Sequence, residues 1–107
     1  MPKFLIRGSY SVEGTKGLVK AGGTARREAV KAAIESVGGR LESYHFALGE
    51  DDFVIIVDAP DAISVSAVAL TAGSTGAVHN LHTTVLLTPE EVDQVAKKSV
   101  KYRPPGQ

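Results

Sequence analysis

Arg7 is the residue of this 107-residue chain whose type and position most suggest chemistry. It lies in the middle of residues 4–10, an alternating segment typical of a β-strand, and shares a predicted face with Leu5 and Ser9. A cation in mid-strand is costly unless it is paired or faces a wet cavity. Arg7 therefore indicates either a clamp for an anion or carboxylate, or an ion pair between subunits. The ion pair is favoured, with Glu42, Asp52 and Asp58 as candidate acids.

Three histidines are candidates for metal binding or proton transfer: His45, His79 and His82. A metal site needs several converging ligands, and a spacing of three along a regular strand places His79 and His82 on opposite faces. The spacing therefore predicts separate surface or interface histidines and no metal site. If the faces of His45 and His82 look into a cavity shared by two subunits, these two are the best candidates for proton transfer, since histidine titrates near working pH.

Glycine-rich backbone and four cations surround the start of a predicted helix. Free N–H groups and the helix dipole make such a start suitable for binding phosphate or carboxylate. The spacing matches neither a phosphate loop nor a dinucleotide fingerprint, so no cofactor is predicted. A solvated helix face is the favoured alternative. The residues concerned are Lys16, Lys20, Gly22-Gly23-Thr24, Arg26 and Arg27.

An aromatic residue and an acidic turn each have a functional and a structural interpretation. Tyr10, next to the glycine-rich segment, either gates a cavity or simply packs. Glu50, Asp51 and Asp52 crowd three carboxylates into one predicted turn, where they could hold a hard cation or do acid–base work. Because turns commonly use Asp to bond the local backbone, the turn interpretation is favoured.

Length and charge limit the class of protein. A chain of 107 residues fits one domain, residues 1–107, that buries a core without metals or disulfides. Twelve basic and twelve acidic side chains give a net charge of zero, so we expect neither a nucleic-acid nor a membrane partner. The absence of cysteine fits a reducing compartment, and neither an export signal nor a run of about 20 apolar residues occurs. We expect a cytoplasmic protein.

The periodicity of apolar residues predicts the element order β-α-β-β-α-β-α. Strands are predicted at 4–10, 40–48, 53–57 and 77–87, and helices at 24–37, 62–72 and 89–100. Thr24 is the expected N-cap of the first helix, and Thr88-Pro89-Glu90-Glu91 is typical of the start of the last. Four glycines make residues 11–23 a loop or short helical turn at best. Residues 101–107 are expected to form an extended tail.

This order predicts an α+β, ferredoxin-like fold. In that fold the first and third strands are central in a four-stranded antiparallel sheet, and both crossover helices lie on one face. The third strand, Phe53-Val54-Ile55-Ile56-Val57, is apolar without alternation, which predicts burial on both faces. Because helices cover only one face, we expect a second copy of the chain to cover the other.

Short motifs occur along nearly the whole chain: Gly8-Ser9-Tyr10, Gly14-Thr15-Lys16-Gly17-Leu18, Gly38-Gly39-Arg40-Leu41-Glu42, Thr83-Thr84-Val85-Leu86-Leu87 and Tyr102-Arg103-Pro104-Pro105-Gly106. Together they resemble the motifs of the GYD-domain proteins. The resemblance implies a dimeric α/β barrel, in which two ferredoxin-like sheets face each other around a shared interior, and a biochemical role that is unassigned. The family's Gly-Tyr-Asp signature corresponds to Gly49-Glu50-Asp51-Asp52, with Asp51 at the tyrosine position, and this departure weakens any carried-over function.

We predict that the chain binds a small, anionic molecule between sheet and helices, at the sheet face or in a barrel shared by subunits. Residues 13–27 would act as a flexible cover. The alternative is a non-catalytic homo-oligomeric module, regulatory or stress-related, without a ligand. In either case the expected partner is a second copy, in a homodimer or higher homo-oligomer. The sequence does not decide whether the protein is an enzyme. The candidate ligand-binding residues are Arg7, Tyr10, Arg26, His45 and His82.

Overall fold

The computed structural model describes residues 1–107 as a four-stranded antiparallel sheet with four helices. The sheet order is β2-β3-β1-β4, so the first and third strands are central, and the predicted ferredoxin-like α+β fold is confirmed. The predicted order lacked one helix. The elements are β1 (Lys3–Tyr10), α1 (Val12–Ala21), α2 (Gly23–Ser36), β2 (Arg40–Phe46), β3 (Phe53–Asp58), α3 (Ala62–Ser74), β4 (Val78–Leu86) and α4 (Pro89–Ala96).

The helices cover one face of the sheet and leave the other face open. On β1, Phe4 and Ile6 are buried against the helices, whereas Leu5 and Arg7 on the opposite face are only half-buried. β3 alternates in the same way, with Phe53, Ile55 and Val57 buried and Val54 and Ile56 half-buried. Within a single chain the helices therefore cover one face of β3, as predicted, and the expected cover of its other face by a second copy stays a prediction. We call the covered side the helix face and the other side the open face.

The hydrophobic core lies between the helix face and α2 and α3. Apolar side chains from alternate positions of β1 and β3 meet the apolar sides of these helices, as the two periodicities require. Ile34 of α2, Val57 of β3 and Val65 of α3 are the largest fully buried side chains. The complete core is Phe4, Ile6, Tyr10, Ile34, Phe53, Ile55, Val57, Ala59, Val65 and Val78.

Residues 12–21 form a ten-residue helix, α1, where a loop or short turn was predicted. The side chain of Ser11 caps it by accepting a hydrogen bond from the backbone N–H of Gly14 at 3.1 Å. Gly14 also lets the helix approach the start of β4, because a Cβ atom there would lie 2.1 Å from the carbonyl oxygen of Ala77. The contact between α1 and the start of β4 thus outweighs the low helix propensity of the glycines in α1. Residues 13–27 are consequently helical on both sides of Gly22, and their role as a flexible cover stays a prediction.

The start of α2 also differs from the prediction. The helix begins at Gly23, and its N-cap is Gly22, which has φ +89° and no side chain to cap the helix. Thr24 is the second helical residue and not the predicted N-cap. A left-handed backbone between α1 and α2 is favourable only for glycine, so Gly22 turns the chain where Thr24 would otherwise cap it.

The C-terminal residues project from the body. Thr88 and Glu91 form the predicted capping box, but α4 ends at Ala96, before the predicted end near residue 100. α4 contains no buried residue. The radius of gyration is 16.8 Å, whereas a compact domain of this length has about 13 Å. Residues 87–107, which we call the C-terminal arm, are all exposed. No helix of the chain has the length and apolar character needed to cross a bilayer.

Candidate functional site

One row of side chains crosses all four strands on the open face. His45 on β2 lies opposite Val54 on β3, Val54 lies opposite Arg7 on β1, and Arg7 lies opposite His82 on β4. Directly opposed residues of antiparallel strands share a face. Arg7 and His82 are therefore neighbours, while His45 is two strands, or about 10 Å, from Arg7.

Arg7 is paired within its own chain. Its Nη1 donates to Oδ2 of Asp51 at 3.0 Å, and the carboxylate side chain is 19% exposed. The predicted partners Glu42, Asp52 and Asp58 are wrong, since Asp51 is the acid, and the pair does not need a second subunit. Asp51 comes from the turn after β2, which brings it over the central strand.

A polar depression of about 440 Å³ surrounds this pair. Its walls contain no hydrophobic residue, and Arg7 is its only cation beside two carboxylates. An incoming anion would therefore meet a cation that is already neutralised and a second negative charge. The geometry disfavours an anion clamp here. The lining residues are Arg7, Ser9, Glu50, Asp51, Asn80 and His82.

A bulge in β4 places His79 and His82 on the same face. The β1–β4 register shifts between Arg7 and Ser9, so that Ser9 opposes His79 while Arg7 opposes His82. Asn80, between the histidines, has φ +53°, a left-handed conformation that absorbs the extra residue. The predicted opposite orientation is wrong for this reason. The two imidazoles still form no group of three or more possible metal ligands with other residues.

The other end of the open face carries an ion-pair network. Asp58 accepts hydrogen bonds from Arg40 Nη2 and Lys3 Nζ, both at 3.0 Å, and Lys3 also contacts Glu42 at 2.5 Å. The hydrogen bond from Arg40, followed by that from Lys3, holds the pKa of Asp58 below its usual range. Every charge in the network has a partner, so this end of the face ties β1, β2 and β3 together and leaves no cation free for a ligand.

Tyr10 and Tyr44 meet on the helix face. Their hydroxyls lie 2.5 Å apart, and the Tyr10 ring packs against Phe53 with a centroid distance of 5.1 Å. Burial raises the pKa of Tyr44 above its usual range, and the hydrogen bond with Tyr10 raises it further. The Tyr44 hydroxyl therefore stays protonated and serves as a neutral hydrogen-bonding group.

Arg26 lies above this tyrosine pair and lacks a counter-ion. Its guanidinium carbon is 6.0 Å from the centre of the Tyr10 ring, a cation–π arrangement. Its Nε is buried and has no hydrogen-bond partner. The adjacent Arg27, by contrast, pairs with Glu28 at 3.3 Å. Arg26 is thus a cation with a desolvated N–H donor that makes no hydrogen bond. Such a donor costs free energy unless another molecule supplies an acceptor.

Arg26 borders a groove between α2 and α3. The groove has a volume of about 330 Å³, and Arg26 is the only charged residue among the twelve that line it. A smaller cavity of about 50 Å³ lies between the groove and the sheet and is lined by both Arg26 and Tyr44. A third cleft, of about 320 Å³ between α1 and α2, contains Arg26, Tyr10 and the acidic Glu13. We call the groove and the smaller cavity together the helix-side pocket.

The five predicted site residues fall into two groups separated by the sheet. Arg7 and His82 meet in the polar depression, with His45 farther along the same row. Tyr10 and Arg26 meet on the helix face. The sequence prediction missed Tyr44. Its signal was present, since Tyr44 and Phe46 alternate onto one face of the predicted second strand, where an aromatic pair indicates a covered surface.

Comparisons with known proteins identify a family and a fold. The sequence model of the GYD domain matches residues 4–96. The fold is similar to that in the crystal structure of MtbAldR, a Mycobacterium protein, with a TM-score of 0.51 and 16% sequence identity. That match covers 81% of this chain and 52% of the other, so the chain spans about half of the solved protein's length. At this identity the likeness shows the fold alone. No curated protein matches the sequence.

Proposed function

The chain belongs to the GYD domain family, and we propose that it binds a small molecule with an anionic group and an apolar body in the helix-side pocket. The single observation that carries this proposal is Arg26, whose buried Nε has no partner at the edge of an otherwise apolar groove. A ligand carboxylate or similar anion would pair with the guanidinium, and the rest of the ligand would lie between α2 and α3.

The electrostatics favour an anion at Arg26. A guanidinium presents a planar fork of donors that matches a carboxylate in two parallel hydrogen bonds. Hydrogen bonds to charged groups contribute more than neutral ones, about 1.5–3 kcal/mol. No carboxylate of the chain pairs with Arg26, so an anion would not need to displace one. Arg7, which is neutralised by Asp51, lacks this advantage.

The walls of the groove favour an apolar ligand body. Eight of the twelve lining residues are hydrophobic, and small side chains such as Ala29, Ala33 and Ala67 leave the space between the two helices unfilled. Ligand pockets are usually concave and mostly apolar, with a few polar groups that fix orientation. In the smaller cavity beneath, the Tyr44 hydroxyl offers one such group. The ligand class is therefore an amphipathic organic acid.

Replacing Arg26 by glutamine tests the proposal. We expect isothermal titration with benzoate and octanoate to show weaker binding to the variant by about tenfold or more, because a charge-assisted pair worth about 1.5 kcal/mol is lost. The uncharged analogues benzamide and octanamide should bind both proteins equally. Arg27→Gln is the matched control, since Arg27 is exposed and paired with Glu28, and it should leave carboxylate binding unchanged.

Two results would contradict this function. One is that neither carboxylate binds the unaltered protein more tightly than its amide. The other is that Arg26→Gln and Arg27→Gln weaken carboxylate binding equally, which would indicate general charge attraction and no site at Arg26. Thermal unfolding of both variants without ligand separates these outcomes from a loss of folding.

We also propose, as a second function, self-association through the open face. The half-buried side chains Leu5, Val54 and Ile56 form an apolar strip there that no element of the chain covers. Ion pairs flank the strip at both ends, through Asp58 and through Arg7. An apolar centre with a polar rim is typical of an interface between proteins. A second copy of the chain is the proposed occupant, in keeping with the dimeric barrel that the family resemblance implies.

A further inference from the structure

The charges of this chain are separated along its length. Residues 97–107 contain four basic side chains and no acidic one, whereas residues 1–96 contain eight basic and twelve acidic side chains. Residues 97–107, the end of the C-terminal arm, therefore carry +4 and the remainder −4, and the two cancel in the net charge of zero. The first part of the arm, residues 87–96, belongs to that remainder and carries −3. None of the four cations of the arm forms an ion pair with an acidic side chain, and Arg103 donates a hydrogen bond to the backbone oxygen of Gln107. The four cations are Lys97, Lys98, Lys101 and Arg103.

The arm also exposes an apolar surface. Val92 and Val95 lie three residues apart on one side of α4, and neither is buried. Together with three apolar residues outside the helix, they are between 49% and 76% exposed. Those three residues are Leu87, Val100 and Tyr102. An exposed apolar stripe that continues into a cluster of cations indicates an interaction surface.

The acidic turn, residues 49–52, is the complementary surface on the body. Glu50 and Asp51 line the polar depression, and Asp52 accepts a hydrogen bond from the backbone N–H of Tyr10. With Arg7 the turn retains a net charge of −2. It lies at the end of the sheet where β1 finishes, whereas the arm leaves the opposite end, where Leu86 opposes Lys3. The two ends are about 23 Å apart along β1.

We infer that the C-terminal arm of one copy lies across a second copy and brings its four cations to that copy's acidic turn. Two sheets that face each other around a twofold axis perpendicular to their strands place the arm end of each copy at the turn end of the other. This arrangement pairs opposite charges at both ends, whereas an axis parallel to the strands would pair like charges. The inference rests on the proposed self-association and is independent of the ligand proposed for Arg26.

Cysteine pairing tests this arrangement directly, because the chain contains no cysteine of its own. The single variants Glu50→Cys and Lys98→Cys are mixed, equilibrated and oxidised, and intact masses are measured without reductant. We expect the disulfide between Glu50→Cys and Lys98→Cys to form about a hundredfold faster than the disulfide between Glu50→Cys and Lys16→Cys. The reason is that two cysteines that are adjacent in a dimer have an effective concentration in the millimolar range. Lys16 is an equally exposed lysine on α1 and serves as the control. The ratio of the two rates should fall in 1 M salt, where the attraction between charges is screened beyond about 3 Å.

The native mass of the unaltered protein distinguishes the two ways in which the inference can fail. A monomer at all micromolar concentrations would overturn both the self-association and the position of the arm. A dimer without excess of the mixed disulfide would overturn the position of the arm alone. In the double variant Glu50→Cys/Lys98→Cys, an intrachain disulfide in place of a crosslinked dimer would show that the arm folds onto its own copy, which also contradicts the inference.

Discussion

Alanine in place of Gly14 is expected to lower the free energy of unfolding by about 2 kcal/mol, whereas alanine in place of Gly17 should raise it by about 0.5–1 kcal/mol. Both glycines lie in α1, three residues apart. A Cβ atom at position 14 would lie 2.1 Å from the carbonyl oxygen of Ala77, while nothing lies within 4 Å of the corresponding atom at position 17. The substitution is the same, and only the surroundings differ.

The cost at position 14 arises from the contact that holds α1 against the sheet. The carbonyl oxygen of Ala77 accepts hydrogen bonds from the backbone N–H of Ser11 at 2.9 Å and from its hydroxyl at 3.3 Å. A methyl group at Gly14 would push the helix away from this acceptor. At Gly17 the methyl group points into open space, so the gain comes only from the reduced backbone entropy of the unfolded chain.

Thermal unfolding of the two variants measures this difference. Gly14→Ala should lower Tm by about 10 °C and Gly17→Ala should raise it by about 3–5 °C. The protein concentration must be the same throughout, since association would shift Tm. If both variants are more stable than the unaltered protein, the result contradicts the close contact between Gly14 of α1 and Ala77.

Ile34→Ala is expected to cost about 3 kcal/mol, because it removes the most buried side chain of α2 and leaves a cavity. Ile34 is 0% exposed and also lines the smaller cavity beside Arg26. The matched control is Ile63→Ala on α3, where the side chain is 81% exposed. That replacement should change the free energy of unfolding by less than about 0.5 kcal/mol.

Urea unfolding compares the two isoleucine variants. Ile34→Ala should lower the midpoint concentration strongly with an unchanged slope, since the loss is in the native core and not in the extent of unfolding. Equal effects of the two replacements would contradict the placement of Ile34 between sheet and helices. A loss of only about 2 kcal/mol would show that the surrounding side chains close most of the cavity.

The sequence predicted the strands and the start of the last helix well because their signals are local. Alternation in 4–10, the capping box at Thr88 and the apolar run 53–57 each depend on neighbouring residues, and each corresponds to an element of the structure. α1 was missed because its stability depends on Ala77, more than sixty residues away in sequence. Helix propensity sums over local residues and contains no such contact.

The candidate site was less predictable, because it depends on which faces the elements present to each other. Arg7 was correctly singled out as a cation that needs explanation, yet its partner Asp51 lies in a turn whose path the sequence does not define. The bulge at Asn80 moved one histidine to the other face, and a register shift of one residue has that consequence for any strand. Arg26 and Arg27 look alike in sequence, and only packing shows that one is paired and the other is not.

The separation of charge between residues 97–107 and the remainder of the chain makes this neutral molecule a strong dipole. A net charge of zero describes the sum of the charges and says little about the field near either pole. Two such molecules attract in one mutual orientation and repel in the other, so encounters are aligned before any surface touches. Loss of the last eleven residues would leave residues 1–96 with a charge of −4, a change in colloidal character that requires no change in the fold.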